Sequence, residues 1–106
     1  MNTGIKLATK WVEVVGLSKK TSNVNKSLKV FTDEVTEFVN AVQTKGAAEV
    51  MDEGGDCVIA LNSFFVMHFG FDLSELMQHS TDKIYSRVAG GKMVNGKFTK
   101  KEDLDA

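Results

Sequence analysis

The chain has 106 residues, enough for one domain with a modest core, and it is 42% hydrophobic and 25% charged, as is ordinary for a globular protein. Its formal net charge of −1 provides no basic field that would draw it to nucleic acid or to an anionic membrane. Because Cys57 is the only cysteine, an intrachain disulfide and a zinc site built from cysteines are excluded.

The sequence shows neither a membrane span nor a signal peptide. The longest apolar stretch, residues 57–71, is interrupted by asparagine, serine, histidine and glycine, and Met1–Lys10 lacks a long apolar run. We therefore expect a cytoplasmic protein that has neither a membrane nor a nucleic acid as a partner.

Apolar residues recur at helical spacing through most of the chain, and proline, which costs about 3 kcal/mol inside a helix, is absent. Stop signals stand at Gly16, at Lys45–Gly46 and near Gly70 and Gly90. Residues 91–106 are polar, and we expect a short irregular C-terminal tail there. The sequence therefore predicts an all-α fold in one domain, residues 1–106, with helices at about Thr3–Val15, Asn25–Thr44, Ala47–His68 and Asp72–Gly90.

Four carboxylates form two matched pairs, Glu34 with Glu37 and Glu53 with Asp56, each with i, i+3 spacing inside a predicted helix. This spacing puts both members of a pair on one side of the helix, and each pair lies within or beside the apolar arc. Ionised carboxylates are costly to bury unless they are paired or bound to metal. A solvated helix face would explain one such pair, but two pairs with matching placement favour an acidic pocket for a hard divalent cation, above all Mg²⁺.

The third predicted helix is apolar nearly all round, because Ile59 and Val66 lie opposite the arc that holds Cys57, Ala60 and Phe64. A domain of this size has too few layers to cover both faces easily. We therefore expect a homo-oligomer, with a dimer as the minimum and a tetramer as a larger assembly that the pattern also allows. A clasp of three helices around a central one is the alternative.

The acidic residues also follow the pattern of a known family. Residues 33–37, a spacer of fifteen residues and the run 53–61 resemble the MazG-type all-α nucleoside triphosphate pyrophosphohydrolases, whose pattern is E-E-x-x-E, a spacer, and E-x-x-D leading into an apolar helix. Asp33 stands where the family has its first glutamate. Residues 49–52 also fit E-x-x-D, but the later match is preferred because the apolar run begins directly after Asp56.

This resemblance implies an antiparallel four-helix bundle that hydrolyses nucleoside or deoxynucleoside triphosphates to the monophosphate and pyrophosphate, clearing unwanted nucleotides from the pool. It implies Mg²⁺ as the cofactor, with Mn²⁺ as a substitute. One of three glutamates, or Asp33, would hold or deprotonate the attacking water, and the sequence does not choose among them. The expected metal ligands are Glu34, Glu37, Glu53 and Asp56, the catalytic candidates Glu34, Glu37, Glu53 and Asp33, and the substrate-binding candidates Lys83, Arg87, Trp11, Lys92 and Asn95.

Two other functions compete with this interpretation. A di-iron helical protein would need Glu-x-x-His motifs, and His68 and His79 instead have Phe65 and Leu76 three residues before them. A non-enzymatic helical interaction module is the alternative from a different class, and it would show no dependence on Mg²⁺. Without the resemblance, Lys83 and Arg87 would be explained as an exposed basic face near the end of the fourth helix, which complements the helix dipole.

Overall fold

A computed structural model of the chain describes residues 3–18 and 20–105. Most of these residues are helical, which confirms the prediction of a helical fold. Four long helices are followed by a short β-hairpin, and most helix ends fall close to the predicted ones. The elements, in chain order, are α1 Thr3–Val14, α2 Val24–Thr44, α3 Ala47–Phe69, α4 Leu73–Ser86, β1 Lys92–Val94, β2 Lys97–Thr99 and α5 Lys101–Leu104.

Contacts between residues divide the chain into two compact units, one ending at Ser74 and the other beginning at Glu75. The first unit contains α1, α2, α3 and the first residues of α4, and the second contains the rest of α4, the two strands and α5. The organisation of residues 1–106 as one domain and the antiparallel four-helix arrangement both stay predictions.

Helices α2 and α3 pack against each other and run antiparallel. Ser27, near the start of α2, meets His68 near the end of α3, whereas Phe38, farther along α2, lies against Gly54 in the first half of α3. A Cβ at Gly54 would lie in ordinary van der Waals contact with Phe38 Cε1, at 3.4 Å, which shows how closely the two helices pack at this point. The antiparallel register therefore brings the central segments of the two helices, which carry the acidic residues, next to each other.

Local signals set the ends of these two helices. Asn23 precedes α2, and its side chain accepts a hydrogen bond from the backbone N–H of Lys26 at 2.9 Å, as in a standard N-cap. Two residues, Lys45 and Gly46, connect α2 to α3, which favours an antiparallel pair. Gly70 ends α3 in the left-handed conformation, with φ 78°, which glycine adopts without steric cost.

One buried side chain ties α1 and the start of α4 to α3. Asn62 is 1% exposed; its Nδ2 donates to Thr9 Oγ1 at 3.2 Å, and its Oδ1 accepts from the backbone N–H of Leu73 at 2.7 Å. The second bond satisfies one of the N–H groups that have no partner within the helix at its start. Both ends of this amide are used inside the fold, so Asn62 acts as a structural residue.

Helix α4 ends earlier than predicted, at Ser86. The backbone N–H groups of Arg87 and Val88 bond to carbonyls three residues back, at 3.0 and 3.4 Å, which tightens the end of the helix into a turn. Gly90 follows with a positive φ of 79°. Arg87 therefore lies just beyond the helix, and it does not share a regular helical face with Lys83.

The prediction of an irregular C-terminal tail was wrong, because residues 92–99 form an antiparallel β-hairpin. Its turn is Asn95–Gly96, with φ of 51° and 78°, and its strands place Met93 opposite Phe98. Positive φ at both positions is what the tightest hairpin turn requires, and Asn-Gly is the pair that adopts it most readily. This local signal outweighs the polar composition of the segment.

The described residues bury few apolar side chains completely. Val12 and Ala41 are buried, at 5% and 3% exposure, whereas Leu7 on α1 and Met51 and Val58 on α3 remain exposed.

In the described part of the chain no helix is by itself long and apolar enough to cross a membrane, and only α3 and α4, taken together as a bent pair, meet that requirement of length and composition.

Candidate metal centre and adjoining groove

Three carboxylates from α2 and α3 converge where the two helices pack. One carboxylate oxygen from each of Glu34, Glu37 and Glu53 lies within 4.8 Å of the other two. Glu34 and Glu37 are one turn apart on α2, and the antiparallel register brings Glu53 of α3 towards them. These three residues are called the acidic cluster below.

The acidic cluster contains two buried carboxylate oxygens without a hydrogen-bond partner, Oε2 of Glu34 and Oε2 of Glu53. Burial raises the pKa of Glu34, and the nearby charges of Glu37 and Asp56 raise it further. Burial also raises the pKa of Glu53, and the neighbouring carboxyl group of Glu37 adds to the effect. Within the described residues, no lysine or arginine forms an ion pair with the cluster. The fold thus gathers negative charge that its own side chains do not neutralise.

This arrangement fits a hard divalent cation. Such ions prefer carboxylate oxygens, and a cation among the three side chains would supply the partner that the two buried oxygens lack. The neighbouring Cys57 is not one of the residues whose ligand atoms converge, and burial and the surrounding carboxylates raise the pKa of its thiol, which disfavours the thiolate that binds metals. The available donors are therefore oxygens, which favours Mg²⁺ or Mn²⁺ over softer metals.

The two other predicted acidic residues differ in their surroundings. Asp56 lies outside the group of three, but it is close enough for its charge to raise the pKa of Glu34 and of Glu53. Asp33 is more than half exposed, and its Oδ2 accepts a hydrogen bond from Lys29 Nζ at 2.8 Å. Asp56 is thus brought to the edge of the acidic cluster, and Asp33 is not brought into it.

An apolar groove of about 740 Å³ adjoins the acidic cluster, between α1, α2 and α3. Glu34 belongs to both the groove and the cluster, and Asp56 also lines the groove. The walls of the groove are mostly apolar, but Ser27 adds a hydroxyl group two turns of α2 away from Glu34, and Ser22, just before α2, adds another. A concave apolar surface with a few polar groups is the usual form of a small-molecule site.

The predicted substrate-binding residues fall in different parts of the chain. Trp11 on α1 lines the groove and is 44% exposed. The other four belong to the unit that begins at Glu75, and all are exposed: Lys83 on α4, Arg87 just after it, Lys92 on β1 and Asn95 in the hairpin turn. Their part in substrate binding stays a prediction.

The other end of the groove holds hydrogen-bonded side chains that no pattern in the sequence predicts. Ser27 Oγ lies 2.8 Å from His68 Nε2 and 3.0 Å from Ser22 Oγ. The only available sequence signal was the seven-residue separation of Ser27 and Glu34, which puts both on one side of α2. Nothing local indicates His68 as the partner, because it lies 41 residues away in the sequence.

Comparison with known proteins identifies the family of this chain. A family model described as the MazG nucleotide pyrophosphohydrolase domain matches residues 22–89, which is more than half of the chain and includes α2, α3 and the acidic cluster. No curated protein matches the chain, and no solved structure does. The match confirms the resemblance seen in the sequence and indicates nucleotide pyrophosphohydrolase activity. The chain therefore belongs to the MazG nucleotide pyrophosphohydrolase family.

Proposed function

We propose that this protein hydrolyses nucleoside or deoxynucleoside triphosphates to the monophosphate and pyrophosphate in a reaction that requires Mg²⁺. The family supports the class of reaction. The observation that carries the proposal is the acidic cluster, in which two buried carboxylate oxygens have no partner. A triphosphate brings several negative charges, so an acidic site needs a cation before it can attract one. The biological role that we infer is the removal of unwanted nucleotides from the cytoplasmic pool.

In this proposal Glu34, Glu37 and Glu53 hold the cation, and Asp56 contributes an oxygen at the edge of the cluster. When bound, Mg²⁺ lowers the pKa of a coordinated water and offsets the charge on phosphate oxygens. A cluster glutamate accepts the proton of the attacking water, for which Asp33 is the weaker candidate because it is paired with Lys29. Water adds across the α–β phosphoanhydride bond, and the products are the nucleoside monophosphate and pyrophosphate.

The apolar groove receives the nucleoside part of the substrate. Because Glu34 belongs to both the acidic cluster and the groove, phosphates held at the cluster leave the sugar and base to extend along the groove. Trp11 lines that path with part of its indole exposed, so its ring is available to stack on a base.

The basic residues after α3 are proposed to bind the phosphate groups. Residues 83–101 contain six basic residues and no acidic ones, so this segment carries a local positive charge. Lys83→Gln and Arg87→Gln should each lower kcat/KM for triphosphates while leaving metal binding unchanged, and Lys92→Gln and Asn95→Ala should have smaller effects of the same sign. A kcat/KM that does not change in any of these variants would remove the segment from the substrate site.

The proposal also includes a homo-oligomer of two or more copies. Exposed apolar side chains on α3 that do not line the groove support it, since Met51 is 77% and Val58 47% exposed. Sedimentation equilibrium should give a dimer or a larger assembly for the wild type, and Val58→Glu should shift it towards the monomer. A wild-type monomer at the concentrations used for the activity assay would contradict this part of the proposal.

The proposed reaction is tested with a panel of ribo- and deoxynucleoside triphosphates, with and without Mg²⁺. We expect pyrophosphate and monophosphate in equal amounts, no release without a divalent cation, and loss of activity in Glu53→Gln. Glu49→Gln is the matched control, because Glu49 lies one turn earlier on α3, is exposed and is outside the acidic cluster. Release of orthophosphate would mean that another bond is cleaved, and the absence of any cation-dependent release would favour a helical interaction module.

A further inference from the structure

Three side chains are joined by a series of hydrogen bonds at the end of the groove that lies away from Glu34. Ser27 on α2 is 2.8 Å from His68 Nε2 on α3 and 3.0 Å from Ser22 Oγ. Ser27 is only 5% exposed, yet it lines the groove together with Ser22. The proposed hydrolysis does not use these groups, although they lie in the cavity assigned to the nucleoside.

The contacts favour one direction for the protons, although the contact that closes the series, between Ser22 Oγ and the Asn23 carbonyl oxygen, is long for a hydrogen bond between oxygens. Ser22 Oγ also lies 3.4 Å from the backbone oxygen of Asn23, which can only accept. Only one assignment of donors supplies a proton to each of the three contacts. In this arrangement His68 Nε2–H donates to Ser27, Ser27 donates to Ser22, and Ser22 donates to the Asn23 carbonyl. A serine hydroxyl has one proton and two lone pairs, so Ser27 has no proton left in this arrangement and keeps one lone pair. It can therefore act towards a ligand as a hydrogen-bond acceptor.

The position of Ser27 matches the outer edge of a bound base. Ser27 and Glu34 are seven residues apart on one side of α2, a separation of about 10 Å along the helix. That span is comparable with the length of a nucleoside monophosphate. The groove wall between them is apolar, with Val30 from α2 and Phe64 and Met67 from α3. A nucleotide whose phosphates lie at the acidic cluster would thus direct the far edge of its base towards Ser27.

We propose that Ser27, positioned by His68, accepts a hydrogen bond from the exocyclic amino group of the base, so that the protein prefers cytosine and adenine nucleotides to their uracil and hypoxanthine counterparts. This inference rests on the proposed function. A carbonyl group at the same place on the ring can only accept a hydrogen bond. Ser27 can donate its proton to that carbonyl group only if it no longer donates to Ser22, and the contact between the two serines then requires Ser22 to donate to Ser27 and to give up its bond to the Asn23 carbonyl. The carbonyl-bearing nucleotide therefore gives up the long hydrogen bond from Ser22 to the Asn23 carbonyl, which the amino-bearing one keeps, and we expect a difference of roughly fivefold in kcat/KM, mainly through KM.

Two pairs of substrates test this interaction, CTP with UTP and ATP with ITP. The members of each pair differ by an amino or a carbonyl group on the same ring and by a proton on the adjacent ring nitrogen, so the Ser27 variants assign the preference to the exocyclic group. In the wild type the amino member should be preferred in both pairs. Ser27→Ala should reduce the preference to about twofold or less, whereas Ser27→Thr, which keeps the hydroxyl group, should retain it. His68→Phe keeps the ring contact with Phe64 but removes Nε2, so it should also reduce the preference.

Ser63→Ala is the matched control for these variants. Ser63 lines the same groove and is equally buried, but its hydroxyl group donates to the Ile59 carbonyl of its own helix at 2.9 Å. Its replacement should leave the preference within each pair unchanged. A wild-type ratio near one in both pairs, or a ratio that survives in Ser27→Ala, would overturn the inference.

A binding measurement separates this inference from the proposed reaction. Trp11 is the only tryptophan and lines the groove, so its fluorescence reports entry of a base without any turnover. Titration of the wild type with CMP and with UMP in the presence of Mg²⁺ should show tighter binding of CMP. Equal affinities would overturn the role of Ser27 even if pyrophosphate is released as proposed. Tighter binding of CMP by a protein that releases no pyrophosphate would support the role of Ser27 and refute the proposed reaction.

Discussion

Replacing Glu53 by glutamine should remove the stabilisation that Mg²⁺ gives to the folded protein without weakening the metal-free form. Glu53 contributes one of three carboxylates whose oxygens lie within 4.8 Å of one another, and its Oε2 is buried without a partner. Burial and the neighbouring Glu37 raise the pKa of Glu53, which means that its charged form is disfavoured in the metal-free fold. An uncharged amide removes this repulsion, but it also removes a ligand that a hard cation needs.

The size of the effect follows from binding linkage. A cation at a hundred times its dissociation constant stabilises the folded state by about 2.7 kcal/mol. For a chain of this length the entropy of unfolding is about 0.2 kcal/mol per kelvin, so the wild-type Tm should rise by roughly 12 °C. The Tm of Glu53→Gln should rise far less at the same Mg²⁺ concentration, and its Tm in EDTA should equal or exceed that of the wild type.

Thermal unfolding followed by circular dichroism, with EDTA and with Mg²⁺, measures both quantities. Protein concentration must be held constant, because assembly also contributes to the Tm. Glu49→Gln is the control, and it should respond to Mg²⁺ as the wild type does. If Mg²⁺ raises the Tm of Glu53→Gln as much as that of the wild type, the acidic cluster is not the cation site. If the variant is several degrees less stable than Glu49→Gln in EDTA, the argument from charge repulsion fails.

Three further predictions concern pH and packing. Without metal, stability should fall as pH rises from 4.5 towards neutrality, because Glu34 and Glu53 have raised pKa values in the folded protein and hold protons there that the unfolded chain has lost. Thermal scans of Glu34→Gln should show a weaker fall, and a fall equal to that of the wild type would contradict the assignment of this pH dependence to Glu34. Asn62→Ala should lose about 2–3 kcal/mol in urea unfolding, since it leaves the Leu73 N–H without its acceptor, and a loss below about 1 kcal/mol would mean that water replaces the amide. Gly55→Ala should gain about 1 kcal/mol in urea unfolding, because a Cβ there meets nothing within 4 Å, and a loss would indicate that another copy of the chain packs on this position.

Local sequence was sufficient for most helix bounds and for the pairing of acidic residues on single helices, whereas the role of these residues as metal ligands stays a prediction. Helical spacing of apolar residues predicted four helices, and Gly16 and Gly70 marked two of their ends because glycine adopts the left-handed conformation there. The i, i+3 pairs in two helices predicted that acidic residues would meet, and Glu34, Glu37 and Glu53 do so. The helices and the i, i+3 pairs depend on neighbours within one or two turns, whereas the meeting of Glu53 with Glu34 and Glu37 also needs the antiparallel packing of α2 and α3.

The hairpin had a local signal in the sequence, but the prediction of a tail followed the polar composition of the segment. The Asn95–Gly96 turn predicts a hairpin, but strands of three residues leave too little alternation to recognise in a polar segment. The end of α4 at Ser86 differs from this case, because residues 87–89 contain no signal against a helix, and only the structure shows that the chain leaves the helix there through tightened turns.

Only the tertiary structure showed that Asp33, a catalytic candidate from the sequence, lies outside the acidic cluster, and that Ser27 meets His68. Asp33 and Glu34 are neighbours of like charge, yet one is paired with Lys29 at the surface and the other lies in the acidic cluster, because α3 covers only one side of α2. Ser27 and His68 meet because the antiparallel register brings the start of α2 to the end of α3. Spacing along a helix fixes the angle between two side chains, whereas the face that becomes buried is decided by a helix distant in sequence.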